Sequence, residues 1–173
     1  MPPALEPAIE HGRVRVLLRP TGEVAVEQQA EFPGTEPVVL EPRALAGGLG
    51  RHKWLDRPGE PHHLVVDLDG DVLETAAANV WALENGTLTT PPDDGRLLPG
   101  VTRARLLQAF PYAREAPLSL HDLDAADAVL LTSSVRLVTP AGLNKPPSQT
   151  AIDLAAKLRD DAAISRKTGS YIR

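Results

Sequence analysis

The stretch Leu97-Leu98-Pro99-Gly100-Val101-Thr102-Arg103 carries the strongest local chemistry in the chain. A Pro-Gly turn feeding a helix leaves the first N–H groups, those of Val101 and Thr102, facing outward. With the helix dipole they would bind an anion, and the Thr102 hydroxyl offers one more donor. Taken alone, the same residues read more plainly as an ordinary helix start capped by Thr102. Leu131-Thr132-Ser133-Ser134 puts hydroxyls at the end of a strand. A donor to a bound phosphate and plain turn chemistry are both open there. Lys53 lies between Ala46-Gly47-Gly48-Leu49-Gly50 and Arg57-Pro58-Gly59-Glu60-Pro61, and Glu74 follows the apolar pair Val72-Leu73. A lysine among such loops is ordinarily a solvated surface residue, and a carboxylate near a strand end is ordinarily exposed. Neither identifies a site by itself.

Other chemistries find less footing. His62 and His63 are adjacent, so on a strand they should point apart. His52 and His121 have no partner at ligand spacing, so no metal is expected. No Gly-x-Ser-x-Gly elbow, P-loop or Gly-x-Gly-x-x-Gly fingerprint occurs, and the glycines at 47, 48 and 50 precede no convincing helix. With no cysteine there is neither a disulfide scaffold nor a thiolate nucleophile. A net charge of -5 without a Lys/Arg run gives no reason to expect nucleic acid or an acidic membrane surface as partner. No apolar run approaches the ~18 residues of a membrane span, and the start lacks the pattern of a signal peptide. A cytoplasmic protein is the expectation.

The elements that must position these residues are mostly β. Arg13–Leu18 and Glu23–Glu27 alternate around Thr21-Gly22 and predict a hairpin. Pro37–Leu40 is a short strand, and residues 42–62 read as loop. His63–Leu68 and Val72–Glu74 flank Asp69-Gly70; Asn79–Leu83 and Thr87–Thr90 flank Asn85-Gly86. Both dipeptides favour hairpin turns. Val101–Phe110 has helical spacing, with Val101, Leu106, Leu107 and Phe110 apolar. Leu120–Asp127 is a short helix, and Ala128–Thr132 and Val135–Thr139 are strands. A last helix runs over 149–164. The chain reads as a lead-in over 1–11, one α+β domain over 12–165 and a frayed tail over 166–173, with no internal repeat.

The order of the pieces says more than any one of them. His52-Lys53-Trp54-Leu55-Asp56-Arg57 precedes Leu73-Glu74-Thr75-Ala76-Ala77-Ala78-Asn79-Val80-Trp81. Then come Thr89-Thr90-Pro91-Pro92, Leu97-Leu98-Pro99-Gly100-Val101-Thr102-Arg103 and Leu131-Thr132-Ser133-Ser134. This series, over about Arg13 to Pro140, closely resembles the class IV aminotransferase family. That family includes branched-chain and D-amino-acid aminotransferases and aminodeoxychorismate lyase. The resemblance implies a curled mixed sheet or pseudo-barrel with flanking helices, as in the large C-terminal domain of these enzymes. It implies pyridoxal 5'-phosphate as cofactor and a small amino compound as substrate. Lys53 would match the lysine that bonds to the cofactor and shuttles the proton, which needs an amine made partly neutral by burial or a nearby cation. Glu74 would match the acid that pairs with the pyridine nitrogen. Val101 and Thr102 would match the helix-start phosphate cup, Ser134 a further phosphate contact, and Asn79 the residue that fixes the loop beside the cofactor.

Within the family, the Lys-x-x-Asp-Arg segment looks closer to aminodeoxychorismate lyase, which releases pyruvate from 4-amino-4-deoxychorismate to give 4-aminobenzoate. An amino-acid aminotransferase would use the same residues. Family members carry a smaller N-terminal domain of roughly a hundred residues ahead of the segment that begins near Arg13. The resemblance therefore implies the C-terminal portion of such an enzyme, whose partner would be a second copy or the N-terminal half. A non-catalytic remnant acting through that partner, or a plain β-rich binding module, are the other functional classes the sequence leaves open.

Overall fold

The computed structural model describes residues 13–29, 34–54 and 57–161. Two compact units result, Met1–Gly34 and Thr35–Arg173. In the first, β1 (Arg13–Leu18) and β2 (Val24–Gln29) form the expected antiparallel hairpin, Arg13 opposite Gln29 and Leu18 opposite Val24. Gly22, at φ 83°, makes its turn possible without Cβ strain.

The second unit is built around strands β3 (Val38–Ala44), β4 (His63–Val66), β5 (Val72–Thr75), β6 (Asn79–Glu84), β9 (Ala128–Ser133) and β10 (Leu137–Leu143). They pair in the order β5-β4-β3-β10-β9-β6, and β6 pairs back with β5. Six strands thus close a barrel, of mixed direction because β3 runs parallel to both β4 and β10. The closing contact is a single register pair, Glu74 opposite Asn79. Beyond it the same edge of β6 pairs with β7 (Thr87–Thr90), which carries β8 (Ala113–Glu115) in parallel beside it. β8, the extension of β3 to Ala44 and the shift of β10 to 137–143 all differ from the sequence expectation.

Strand alternation sorts the core. Leu64 and Val66, Val80 and Ala82, Val129 and Leu131, and Ala141 and Leu143 join one cluster with Leu40 and Val72 inside the barrel. The helix α2 (Leu120–Ala125) adds Leu123 to that cluster, its start fixed by a capping box between Ser119 and Asp122. The intervening residues Trp81, Ala128 and Leu130 face outward under α1 (Val101–Ala109) and α3 (Gln149–Asp160). α3 is shorter than the expected 149–164, whose end lies outside the described residues. The lead-in over 1–11 and the tail over 166–173 also lie outside them. α1 buries Thr102, Arg103 and Leu106, whereas Val101 is 62% exposed. Leu106, Leu107 and Phe110 pack on the outer cluster, and Val101 lies on the opposite side of the helix. Arg103 can be buried because its guanidinium donates to the Pro91 carbonyl at 2.7 Å and to Glu115.

A bulge decides where the site lies. Between β4 and β5, Leu64 faces Thr75 and Val66 faces Val72, so three steps on β5 match two on β4. The extra residue puts Leu73 and Glu74 on the same side of the strand. Leu73 packs outside with Leu49 and Val65, and Glu74 joins Asn79, the neighbour of Trp81 on the outer face. Simple alternation would have sent Glu74 inward with Val72.

Candidate functional site

Glu74 is 1% exposed, and three groups reach it. Arg57 donates through Nη2 to Oε1, the Leu98 N–H donates to the same oxygen at 3.0 Å, and the Asn79 amide approaches Oε2 at 3.4 Å. Burial pushes the Glu74 carboxyl up to about 7, against the opposing charge of Arg57, the Leu98 N–H, the Arg57 hydrogen bond and the charge of Lys53. Lys53 is therefore near enough for its charge to act on Glu74, though it is exposed. The described residues do not supply the burial that would desolvate its amine.

Asn79 donates to the Leu98 carbonyl at 2.8 Å and so fixes the loop that leads into α1. That loop lies so close that a Cβ on Gly100 would collide with Asn79 Oδ1. We expect Gly100→Ala to cost about 1–3 kcal/mol by pushing Asn79 off Leu98, read as a lowered thermal unfolding midpoint. An unchanged midpoint would mean that the loop shifts without cost. The other side of the loop is fixed by Arg96. Its guanidinium binds Asp67, Asp69, Asp71 and Asp94 at 2.6–3.1 Å, and its carbonyl accepts from the Gly50 N–H at 3.0 Å. Hydrogen bonds from Gly47 and Arg96 hold the Asp67 carboxyl below its usual range.

α1 starts at Val101 behind Gly100, with no side-chain cap and no acidic residue in its first turn. The Thr102 hydroxyl does not cap the helix. It donates to the Ser133 carbonyl at 3.0 Å, so what the first turn offers an anion is backbone N–H. In the hydroxyl run, Thr132 accepts from the Trp81 indole at 3.0 Å and Ser133 accepts from the Arg136 N–H at 3.1 Å. Ser134 is the exposed member. Thus Glu74, Asn79 and the start of α1 are tied through Leu98 and Gly100, and Ser133 ties the end of β9 to Thr102. Arg57, quoted in the sequence motif but given no role there, proves to be the principal partner of Glu74. The available signal was the glutamate itself: a carboxylate buried beside Val72 and Leu73 needs a cation nearby.

His62 and His63 do not point apart. Their rings meet edge to face at 4.5 Å, because His62 precedes β4 and escapes strand alternation. With Glu41 they bring one ligand atom each within 4.8 Å of one another. Glu41 is taken by Arg43 at 2.9 Å, and His63 Nδ1 accepts from the Glu60 N–H at 3.1 Å.

A closed six-strand barrel with a buried glutamate at its closing seam, an uncapped helix start and a nearby lysine defines a fold-type IV architecture. The model of the family "Amino-transferase class IV" matches residues 49–142, and the chain belongs to that family. Its enzymes use pyridoxal 5'-phosphate. The branched-chain-amino-acid aminotransferase of Escherichia coli K12 is 31% identical over 88 residues, 49% of this chain and 28% of that protein. This chain thus spans under a third of the curated relatives it matches. Among solved structures, a provisionally assigned amino-acid aminotransferase from Mesorhizobium loti has a TM-score of 0.59 at 30% identity, covering 76% of this chain and 72% of that one. A hypothetical aminotransferase from Mycobacterium tuberculosis in its PLP-bound form has a TM-score of 0.52 at 29% identity, covering 61% and 39%. A provisionally assigned 4-amino-4-deoxychorismate lyase from Legionella pneumophila shares the fold, with a TM-score of 0.60 at 23% identity over 78% and 59%. Among the described residues no helix is long and apolar enough to cross a membrane.

Proposed function

We propose that this chain holds pyridoxal 5'-phosphate between Lys53, Glu74 and the first turn of α1, and that it serves a lyase acting on 4-amino-4-deoxychorismate. The observation that carries the cofactor reading is the unequal use of the Glu74 oxygens. Oε1 takes both Arg57 and the Leu98 N–H, while among the described residues Oε2 has only the long approach from Asn79. Oε2 therefore retains room to accept a ring N–H. The uncapped first turn suits a phosphate, through the N–H groups of Val101 and Thr102. Ser134, exposed beside the carbonyl that anchors Thr102, is the hydroxyl able to add a donor.

When bound, the cofactor supplies an electron sink for the carbanion formed beside the substrate amine. Glu74 Oε2 would keep the ring nitrogen protonated. Lys53 Nζ would carry the proton taken from the substrate carbon, and Asn79 would hold the Leu98 loop at the distance the phosphate needs. The lyase reading rests on Lys53-Trp54-Leu55-Asp56-Arg57, with Arg57 engaged on Glu74. An aminotransferase is the second reading, favoured by the branched-chain relatives. Incubating the chain with the cofactor and 4-amino-4-deoxychorismate should release pyruvate and 4-aminobenzoate in equal amounts. Amino transfer from an amino acid to a 2-oxo acid, without those products, would select the second reading. Neither activity would leave a remnant that needs a partner.

A further inference from the structure

We infer that Arg57 is a positioning residue for this site: its guanidinium closes the loop that presents Lys53 and dedicates Glu74 Oε1 to that task, leaving Oε2 to a ligand. The inference deepens the cofactor reading and rests on it. Lys53 lies in the loop between Gly50 and Arg57, seven residues apart along the chain. One nitrogen of Arg57, Nη2, bonds the Gly50 carbonyl at 3.3 Å and the Glu74 carboxylate. Gly50 and Arg57 are thereby joined to each other and fastened to the barrel seam at the same point. Gly50 is held on its other side by the Arg96 carbonyl. Lys53 itself makes no such bond among the described residues, so its place depends on these two anchors and on Arg51, which donates to Asp93 at 3.1 Å.

The burial of the pair argues that it does more than decorate a surface. The Arg57 and Glu74 side chains are 6% and 1% exposed. The Arg57 Nε–H is buried without an acceptor among the described residues. Leaving a buried donor unmade costs free energy, so the guanidinium sits where its two partners put it rather than where its own bonding would be complete. Because both bonds leave from one nitrogen, a lysine at 57 could reproduce part of the arrangement, whereas a neutral side chain could not. The charged groups acting on Glu74 are Arg57 and Lys53, with the neutral Leu98 N–H and Asn79 amide completing its surroundings. Removing Arg57 takes away the larger of the two cationic effects.

The test compares the full chain with Arg57→Gln and Arg57→Lys, each shown to be folded by its thermal unfolding transition. Pyridoxal 5'-phosphate is titrated from pH 6 to 9, trapped with borohydride, and the label at Lys53 is measured by peptide mass spectrometry. Arg57→Gln should need about tenfold more cofactor for half-labelling, with its pH profile displaced upward, and Arg57→Lys should recover most of the loss. Half-labelling and a pH profile equal to the unmodified chain's would overturn the inference and leave the cofactor reading standing. If the unmodified chain takes no label at Lys53, the cofactor reading fails. Amide exchange over residues 51–54, measured without cofactor, then decides the anchoring role. Faster exchange in Arg57→Gln supports it, and unchanged exchange overturns it.

Discussion

Lys53→Ala is expected to abolish the borohydride-stable adduct with pyridoxal 5'-phosphate while leaving the fold unchanged. The chain has four lysines, at 53, 145, 157 and 167. Lys145 is held by the Asp124 carboxylate at 2.7 Å, Lys157 lies in the last turn of α3, and Lys167 is outside the described residues. Lys53 is the lysine whose charge acts on Glu74. An exposed lysine with no hydrogen bond among the described residues contributes within about 0.5 kcal/mol to stability, so its loss should not confound the result. In the unmodified chain the label should concentrate on the peptide that contains Lys53 and saturate near one per chain. In Lys53→Ala the absorbance of the bound imine should vanish and any residual label should scatter. Equal absorbance from the variant, or a label concentrated on Lys145 or Lys157, would sink the assignment.

The exposure of Lys53 sharpens that experiment. Formation of the bond needs a neutral amine, and the described residues do not bury this one. Any burial of its side chain would therefore have to come from outside the described residues. A second copy of the chain is the first such source to test.

Local patterns in the sequence made much of the barrel legible. Alternation located the strands, and Asn85-Gly86 adopts positive φ at both residues, 48° and 78°, as a two-residue hairpin turn requires. What remained hidden depends on distant pairings. Closure of the barrel rests on Glu74 opposite Asn79, and the direction of Glu74 rests on a one-residue bulge between β4 and β5. Neither leaves a local mark, because a bulge is a mismatch between two strands and not a property of one. In α1 the polar Thr102 and Arg103 are buried beside Leu106, since Pro91, Glu115 and Ser133 supply their partners. The candidate residues stood out through the order of the family's motifs. Their local spacing alone did not separate Lys53 or Glu74 from ordinary surface groups.

Glu74 should make this chain less stable as the pH rises from about 4.5 to about 7. Two effects oppose each other at its carboxyl. Arg57, Lys53 and the Leu98 N–H favour the ionised form, and burial at 1% exposure disfavours it. Burial wins, raising the group from 4.5 to about 7. Desolvation can exceed the attraction within a buried pair. The folded chain then holds its proton more tightly than the unfolded chain does. Below pH 4.5 both states are protonated and the contribution is fully present. It is lost through the window and is gone above about 7. The loss is on the order of 3 kcal/mol, measurable by denaturant unfolding at a series of pH values. Glu74→Gln should match the unmodified chain at pH 4.5 and lack this decline, becoming the more stable of the two at pH 8. Saturating cofactor should shrink the decline in the unmodified chain, because a ring N–H on Oε2 favours the carboxylate. The opposite sign, with Glu74→Gln several kcal/mol weaker at pH 8, would show that Arg57 outweighs burial and that Glu74 is ionised throughout.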